Sequence, residues 1–222
     1  MTTELQPGLG IKAAIEQRRA ARAFGPDPIP QATLIEILRL GLRAPSGFNL
    51  QPRRFVLVQA SDNKAKLSAC AFDQSQITDA PVVLICCGDR QVHNPEYIES
   101  VIGLGSATGA MTAEYADYLR SSIPGFFANK PSFTSMEAWT NRHVMIAVAH
   151  VMLAAKSFGV DSCPMEGFNA SQVKAAFNIP ETIDVCCLLP LGYATDPIKP
   201  YGGRFSWEQV CYGETFGQTF ES

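Results

Sequence analysis

"RAPSGFNLQPRRFVLVQ", residues 43–59, joins a helix to a strand through a loop that carries two carboxamides. Upstream, "IPQATLIEILRLGLRAPS" (29–46) has helical spacing. Pro45 stops it, because proline lacks an N–H for the ladder and pushes the preceding residue toward extended backbone. Downstream, "RRFVLVQ" (53–59) is short, β-branched and preceded by proline, which predicts a strand. Pro45, Ser46, Gly47 and Asn49 all favour turns. Turn chemistry accounts for Ser46 and Gly47 but does not require Asn49 and Gln51 together. A carboxamide presents a donor and an acceptor side by side. A planar heterocycle with alternating carbonyl and N–H edges is its natural partner.

Working outward, "GLGIKAAIEQRRAARAF" (8–24) reads as a first helix with Ile11, Ala14, Ile15 and Arg18 on a common side. "APVVLICCGD" (80–89) and "DVCCLLPLGYA" (184–194) read as strands, the second buried on both faces. "EAWTNRHVMIAVAHVMLAAKSFG" (137–159) is apolar nearly all round, the mark of a helix inside a domain or in a subunit interface, with Gly159 as its cap. A loop "GVDSCPMEGF" and a short helix "ASQVKAAFN" (170–178) follow it. Residues 90–136 have weaker periodicity, with one helix over "ATGAMTAEYADYLRS" (107–121). The tail "KPYGGRFSWEQVCYGETF" (199–216) reads as loop, then extended segment. With 222 residues and no repeat or linker, the expectation is one α+β domain over 1–222.

A net charge of −3 without a basic stripe argues against nucleic acid as partner. "VMIAVAHVMLAA" is too short for a membrane span, and "MTTELQPGLG" has no signal-peptide pattern. The seven cysteines include no C-x-x-C pair and are odd in number. Cys86, Cys87, Cys186 and Cys187 lie in apolar runs, where cysteine behaves as a small hydrophobe. A reducing, cytoplasmic setting follows as the expectation.

Two further pieces carry chemistry. Arg18 and Arg22 are four apart and share a face of the expected helix, with Arg19 beside them. Two readings stand. The cations complement the helix dipole, or their guanidinium forks hold a phosphate, to which Arg204 in "YGGRF" would add. In "PMEGF" (164–168), Pro164 and Gly167 let the backbone around Met165 and Glu166 present N–H groups to a ligand. The Glu166 side chain is either a general base or a solvated surface acid. "GLGSATGA" (103–110) fails the dinucleotide spacing and reads as a loop leading into a helix. His93, His143 and His150 lack metal-ligand spacing, and "GFF" (125–127) either stacks on a ligand or plugs a core.

An Arg-Arg-x-x-Arg-x-Phe start, "APSGFNLQPRRF", "TDAPVVLI", "GVDSCPMEGF" and a late "GGRF", in this order over nearly the whole chain, resemble the FMN-dependent nitroreductase family. The similarity is greatest to its oxygen-insensitive branch, especially across 139–196. The resemblance implies a three-layer α+β fold, a mixed central sheet flanked by helices, and a homodimer that exchanges C-terminal segments and binds FMN at its interface. It implies that Arg18, Arg19, Arg22 and Arg204 hold the phosphate, with Ala20 among them. It places Pro45, Ser46, Gly47 and Asn49 on a loop reaching the partner's flavin, with Gln51 either joining them or holding the loop. The Pro164–Gly167 loop would give a backbone N–H to the flavin, and Asp73 and Gln76 would face its pyrimidine edge. Residues 90–136 would cover the flavin. The implied activity is hydride transfer from NADH or NADPH, through FMN, to a small electron-poor acceptor such as a nitroaromatic or quinone. No catalytic side chain is required. A specialised dehydrogenase, enone reductase or reductive dehalogenase of the same superfamily is the alternative; a flavin-binding module without turnover is another. The chain departs from the family at Ala20 (often Ser), Gln76 (Lys in the nearest branch), Arg53 (often Trp) and Gly202 (Lys in some relatives).

Overall fold

The computed structural model describes residues 8–197 and 200–220. The amino-terminal stretch that underlies the targeting expectation lies largely outside the described residues. Helices α1 (Ile11–Gln17) and α2 (Gln31–Gly41) and a 3-10 turn at Gly47–Asn49 lead into strand β1 (Arg53–Val58). Helices α3 (Ser61–Ala69) and α4 (Ser75–Asp79) precede strand β2 (Val82–Asp89). Helices α5 (Pro95–Ala107), α6 (Ala113–Asn129) and α7 (Met136–Ser157) come next. Strand β3 (Asp161–Ser162), helix α8 (Ala170–Ala176), strand β4 (Ile183–Gly192) and helix α9 (Trp207–Val210) complete the order.

The strands pair in the order β1-β2-β4-β3, and each ladder is antiparallel. Among the described residues, the expected mixing of strand directions is confined to one isolated parallel bridge, Ala20 to Ser162. β2 and β4 are apolar on both faces because helices cover both, which is why their sequences show runs rather than alternation. Val83, Ile85, Cys87 and Leu188 meet Leu67 of α3, Ile77 of α4 and Val173 of α8. Val82, Leu84, Cys86, Cys187, Leu189 and Leu191 meet Leu34 and Ile37 of α2 and Val144, Val148 and Val151 of α7. Helices, sheet and helices thus form three layers. A third cluster joins α5, α6 and Trp139 of α7.

Tertiary pairing shortened the first helix. Arg18 takes extended backbone (φ −61°, ψ 127°), and α1 ends at Gln17. The next residues are drawn to Ser162: Ala20 bridges to it, and Ala21 N–H donates to its carbonyl at 3.2 Å. That turn buries Ala21 and Phe24 in the core. Arg18 and Arg22 therefore do not share a helix face, contrary to the spacing argument. In the middle section, "GLGSATGA" is mainly the last turns of α5 rather than a loop. Gly109 (φ +71°) follows the end of α5, and the Thr112 hydroxyl, accepting from Tyr115 N–H, starts α6. In place of the extended segment expected in the tail, α9 forms on a Ser206–Gln209 capping box. The region 61–79, given no element from sequence, holds α3 and α4. "GFF" plugs a core: Phe127 is buried, and Phe126 packs on Phe48 and Phe133.

Candidate functional site

A cleft of about 740 Å3 opens where three distant segments meet: Arg18–Arg22 after α1, Pro164 after β3, and Pro200–Arg204. Arg18, Arg19, Ala20, Arg22 and Arg204 all line it, with Leu153 of α7 forming part of the wall. The extended backbone at Arg18 leads the segment from Arg18 to Arg22 along this cleft in place of a continued helix. Among the described residues, no ion pair neutralises Arg18, Arg19 or Arg204. Several guanidiniums converging without carboxylates create a field that calls for an anion, and forked donors suit phosphate oxygens. Arg19 also serves the dipole reading. Its Nη1 donates to the Glu16 carbonyl at 2.7 Å and the Arg18 carbonyl at 2.9 Å, at the negative end of α1.

The Pro164–Gly167 loop extends the site. Met165 is fixed by reciprocal backbone bonds with Leu188 of β4, 2.9 and 3.0 Å. Beyond it, the chain leaves the sheet. Glu166 is exposed, and among the described residues the N–H groups of Glu166 and Gly167 find no acceptor. Both donors are available to a ligand. The Gly167 carbonyl accepts from Gln74 Nε2 at 2.8 Å, which ties this loop to the segment carrying Asp73 and Gln76. Asp73 is exposed and left-handed (φ 51°), whereas Gln76 is buried in α4. Gln74 was not singled out from sequence. Nothing in its neighbourhood distinguished it from the two polar residues beside it.

The loop of Pro45, Ser46, Gly47 and Asn49 is not part of this cleft. Gly47 lies against Trp139 and His143 of α7, where a Cβ would meet Trp139 Cζ2 at 3.2 Å. The cleft touches the same helix at Leu153. At 1.5 Å per residue, those contacts are roughly 15–21 Å apart along α7. Phe48 (φ 52°), Asn49 (φ 55°) and Gln51 (φ 47°) are all left-handed, an unusual density for residues with a Cβ. Ser46 Oγ accepts from Gln51 N–H at 2.8 Å and closes the turn, while Leu50 is fully buried beneath it.

The two carboxamides have different fates. Gln51 is used internally: its side-chain oxygen accepts from Arg53 Nη2 at 3.3 Å, and its carbonyl accepts from Arg54 at 3.0 Å. Asn49 is exposed, and its side-chain carboxamide makes no hydrogen bond among the described residues. Behind the loop, Arg53 is buried and also donates to the Leu42 carbonyl at the end of α2, while its Nε and Nη1 have no partner among the described residues. Burial and the nearby Arg142 and Arg53 charges hold His143 below the ordinary histidine range. Among the described residues no cluster of His, Cys, Asp and Glu could hold a metal ion, and all seven cysteines are free thiols.

A three-layer α+β fold carries an arginine-lined cleft, suited to an anion, beside loop amides without acceptors among the described residues. Comparison with known proteins makes this specific: the chain belongs to the nitroreductase family, whose model matches residues 15–193. It is 32% identical over 194 residues to a protein of Thermus thermophilus named NADH dehydrogenase, covering 87% of this chain and 91% of that one. It is 25% identical over 202 residues to the oxygen-insensitive NAD(P)H nitroreductase of Salmonella typhimurium, covering 87% and 88%. A nitroreductase-like protein from Streptococcus mutans shares the fold with a TM-score of 0.82 at 24% identity, over 90% of this chain and 96% of that one. No helix among the described residues is long and apolar enough to cross a membrane.

Proposed function

We propose that this chain is an FMN-dependent oxidoreductase that takes hydride from NADH or NADPH and delivers it to an electron-poor small molecule such as a nitroaromatic or quinone. The observation that carries the reading is the convergence of Arg18, Arg19, Arg22 and Arg204 in one cleft, with no carboxylate among the described residues paired to Arg18, Arg19 or Arg204. The residues present fit FMN: one arginine-lined end for a single phosphate, and two unengaged loop N–H groups for the ring. When bound, FMN supplies the hydride chemistry, as cofactors generally do.

The protein's part is positional. Arg18, Arg22 and Arg204 bind the phosphate, and the Glu166 and Gly167 amides orient the ring through backbone donors. Asp73, exposed beside the Gln74 that bonds this loop, meets the ring's polar edge; Gln76 supports α4 from inside. Asn49 serves the flavin of the neighbouring subunit. The separation along α7 supports that assignment, because one protomer's loop and cleft lie on different parts of the same helix. We read residues 1–222 as one functional domain with 90–136 covering the flavin, acting as a cytoplasmic homodimer without nucleic-acid or membrane partners. The tail supports exchange between subunits. Phe205, Trp207, Val210, Phe216 and Phe220 are all exposed, and Phe216 is 91% accessible, a strip of apolar surface that a second copy would cover.

Steady-state kinetics with NADH or NADPH against a quinone and a nitroaromatic test this reading. One ligand-facing site shared by donor and acceptor requires that each leave before the other binds, so double-reciprocal plots should be parallel. Absence of acceptor-dependent NAD(P)H oxidation with both donors, by protein carrying FMN, would reduce the chain to a flavin-binding module.

A further inference from the structure

Tyr201 sits in the cleft with two guanidiniums against its ring. The Arg19 Cζ lies 5.2 Å from the ring centroid and the Arg204 Cζ 5.6 Å from the same centroid. Both separations fall within the range where a cation is attracted to an aromatic face. The two arginines differ in how they are held. Arg19 is anchored, since Nη1 donates to two backbone carbonyls at the end of α1, and Nε is buried with no partner among the described residues. Arg204 stands on an exposed segment, and its side chain donates to the carbonyl of the adjacent Gly203. Gly203 is left-handed (φ +77°), a conformation that glycine adopts freely, and the turn it makes folds Arg204 back over Tyr201.

We infer that Tyr201 is a positioning residue for the anion cleft: its ring couples Arg204 to the fixed guanidinium of Arg19, so that Arg204 is held facing the cleft. Arg19 then acts through Tyr201 rather than as an independent ligand of the phosphate. The inference rests on the proposed FMN reading, because the anion whose binding it tunes is the FMN phosphate. Tyr201 is 60% exposed, so replacing it does not open the core.

The test measures FMN affinity by flavin fluorescence quenching on full-length protein stripped of cofactor. Tyr201→Phe keeps the aromatic face and retains wild-type affinity. Tyr201→Leu keeps bulk but loses the face, and weakens binding roughly two- to five-fold, the scale of an exposed cation–π contact. Arg19→Leu weakens it by a similar factor, and the double variant Arg19→Leu/Tyr201→Leu is no weaker than the weaker single variant, because the two act through one contact. Multiplicative losses in the double variant would show that Arg19 binds the phosphate on its own, and would overturn the inference. So would wild-type affinity in Tyr201→Leu, or a loss in Tyr201→Phe equal to that in Tyr201→Leu. Wild-type protein that takes up no FMN would instead refute the functional reading, and this inference with it.

Discussion

Replacing Ser46 with alanine should unlatch the loop that carries Asn49. Three residues here, Phe48, Asn49 and Gln51, have positive φ, and each left-handed residue with a Cβ costs about 1–2 kcal/mol relative to right-handed backbone. Asn49 is the one best suited to it. Several contacts hold the strained turn: the Gln51 N–H to Ser46 Oγ bond at 2.8 Å, Asn49 N–H to the Ser46 carbonyl at 3.0 Å, Leu50 beneath, and the Phe48–Phe126 edge contact. Ser46→Ala removes the first and leaves the half-buried Gln51 N–H without an acceptor, a loss of about 1–2 kcal/mol. For a chain of this length each kcal/mol shifts the melting temperature by about 2–4 °C. Cofactor-free Ser46→Ala protein should therefore melt about 2–8 °C lower than wild type. It should also release FMN faster, since Asn49 loses its presentation, whereas Ser46→Thr, which retains the acceptor, should recover most of both. Calorimetry of the stripped proteins and fluorescence of released flavin read the two effects. Unchanged melting and unchanged release in Ser46→Ala would refute the reasoning that this bond holds the turn.

Arg18→Ala and Arg204→Ala should each weaken FMN binding by about 1.5–3 kcal/mol, the scale of a hydrogen bond to a charged group; titration of stripped protein checks it, and unchanged affinity in both returns the arginines to surface charge. Gly41→Ala puts a methyl group into Val151 Cγ2 where α2 crosses α7, so denaturant unfolding should show a loss of about 1–3 kcal/mol. The burial that lowers the pKa of His143 predicts a pH dependence with a definite sign. The unfolded chain takes up a proton near the ordinary value of 6.5 that the folded protein resists, so stability should fall as pH drops through that value toward the lower folded pKa. Urea midpoints at mildly acidic and neutral pH should differ less in His143→Phe than in wild type. Mixing Asn49→Ala with Arg18→Ala subunits should leave one intact site in each heterodimer and restore part of the activity lost in each parent; no recovery would contradict the cross-subunit placement of Asn49.

Strands β1, β2 and β4 and the long helix are legible because their patterns reflect burial directly, whereas the two-residue β3 lies in the stretch read as a loop. β2 and β4 are apolar on both faces, and α7 packs against the sheet along much of its length. Misreadings arose where a distant partner overrides local preference. Nothing in "QRRAARAF" forbids helix; the bridge from Ala20 to Ser162 ends it, and Ser162 lies 142 positions away. α3 and α4 went unassigned because both are short, and α3 carries a largely polar sequence whose buried members are Leu67 and Ser68. In the site, residue types were readable while their geometry was not. The arginines reach one cleft through an extended bend rather than a helical face. Asn49 and Gln51 look equivalent in sequence, yet Gln51 is engaged by Arg53 and Arg54 while Asn49 stays exposed. Tyr201 carried a visible signal, an aromatic before Gly-Gly-Arg, whose meaning depends on Arg19, which approaches it only in the folded chain.

The most direct test of the account is the visible spectrum of the protein as purified, with chromatography of the cofactor released on denaturation. The account predicts a yellow protein that releases FMN, not FAD, in a ratio of about one per chain, held without a covalent bond, because the cleft offers one arginine-lined end for one phosphate. A colourless protein that also fails to take up added FMN would contradict it.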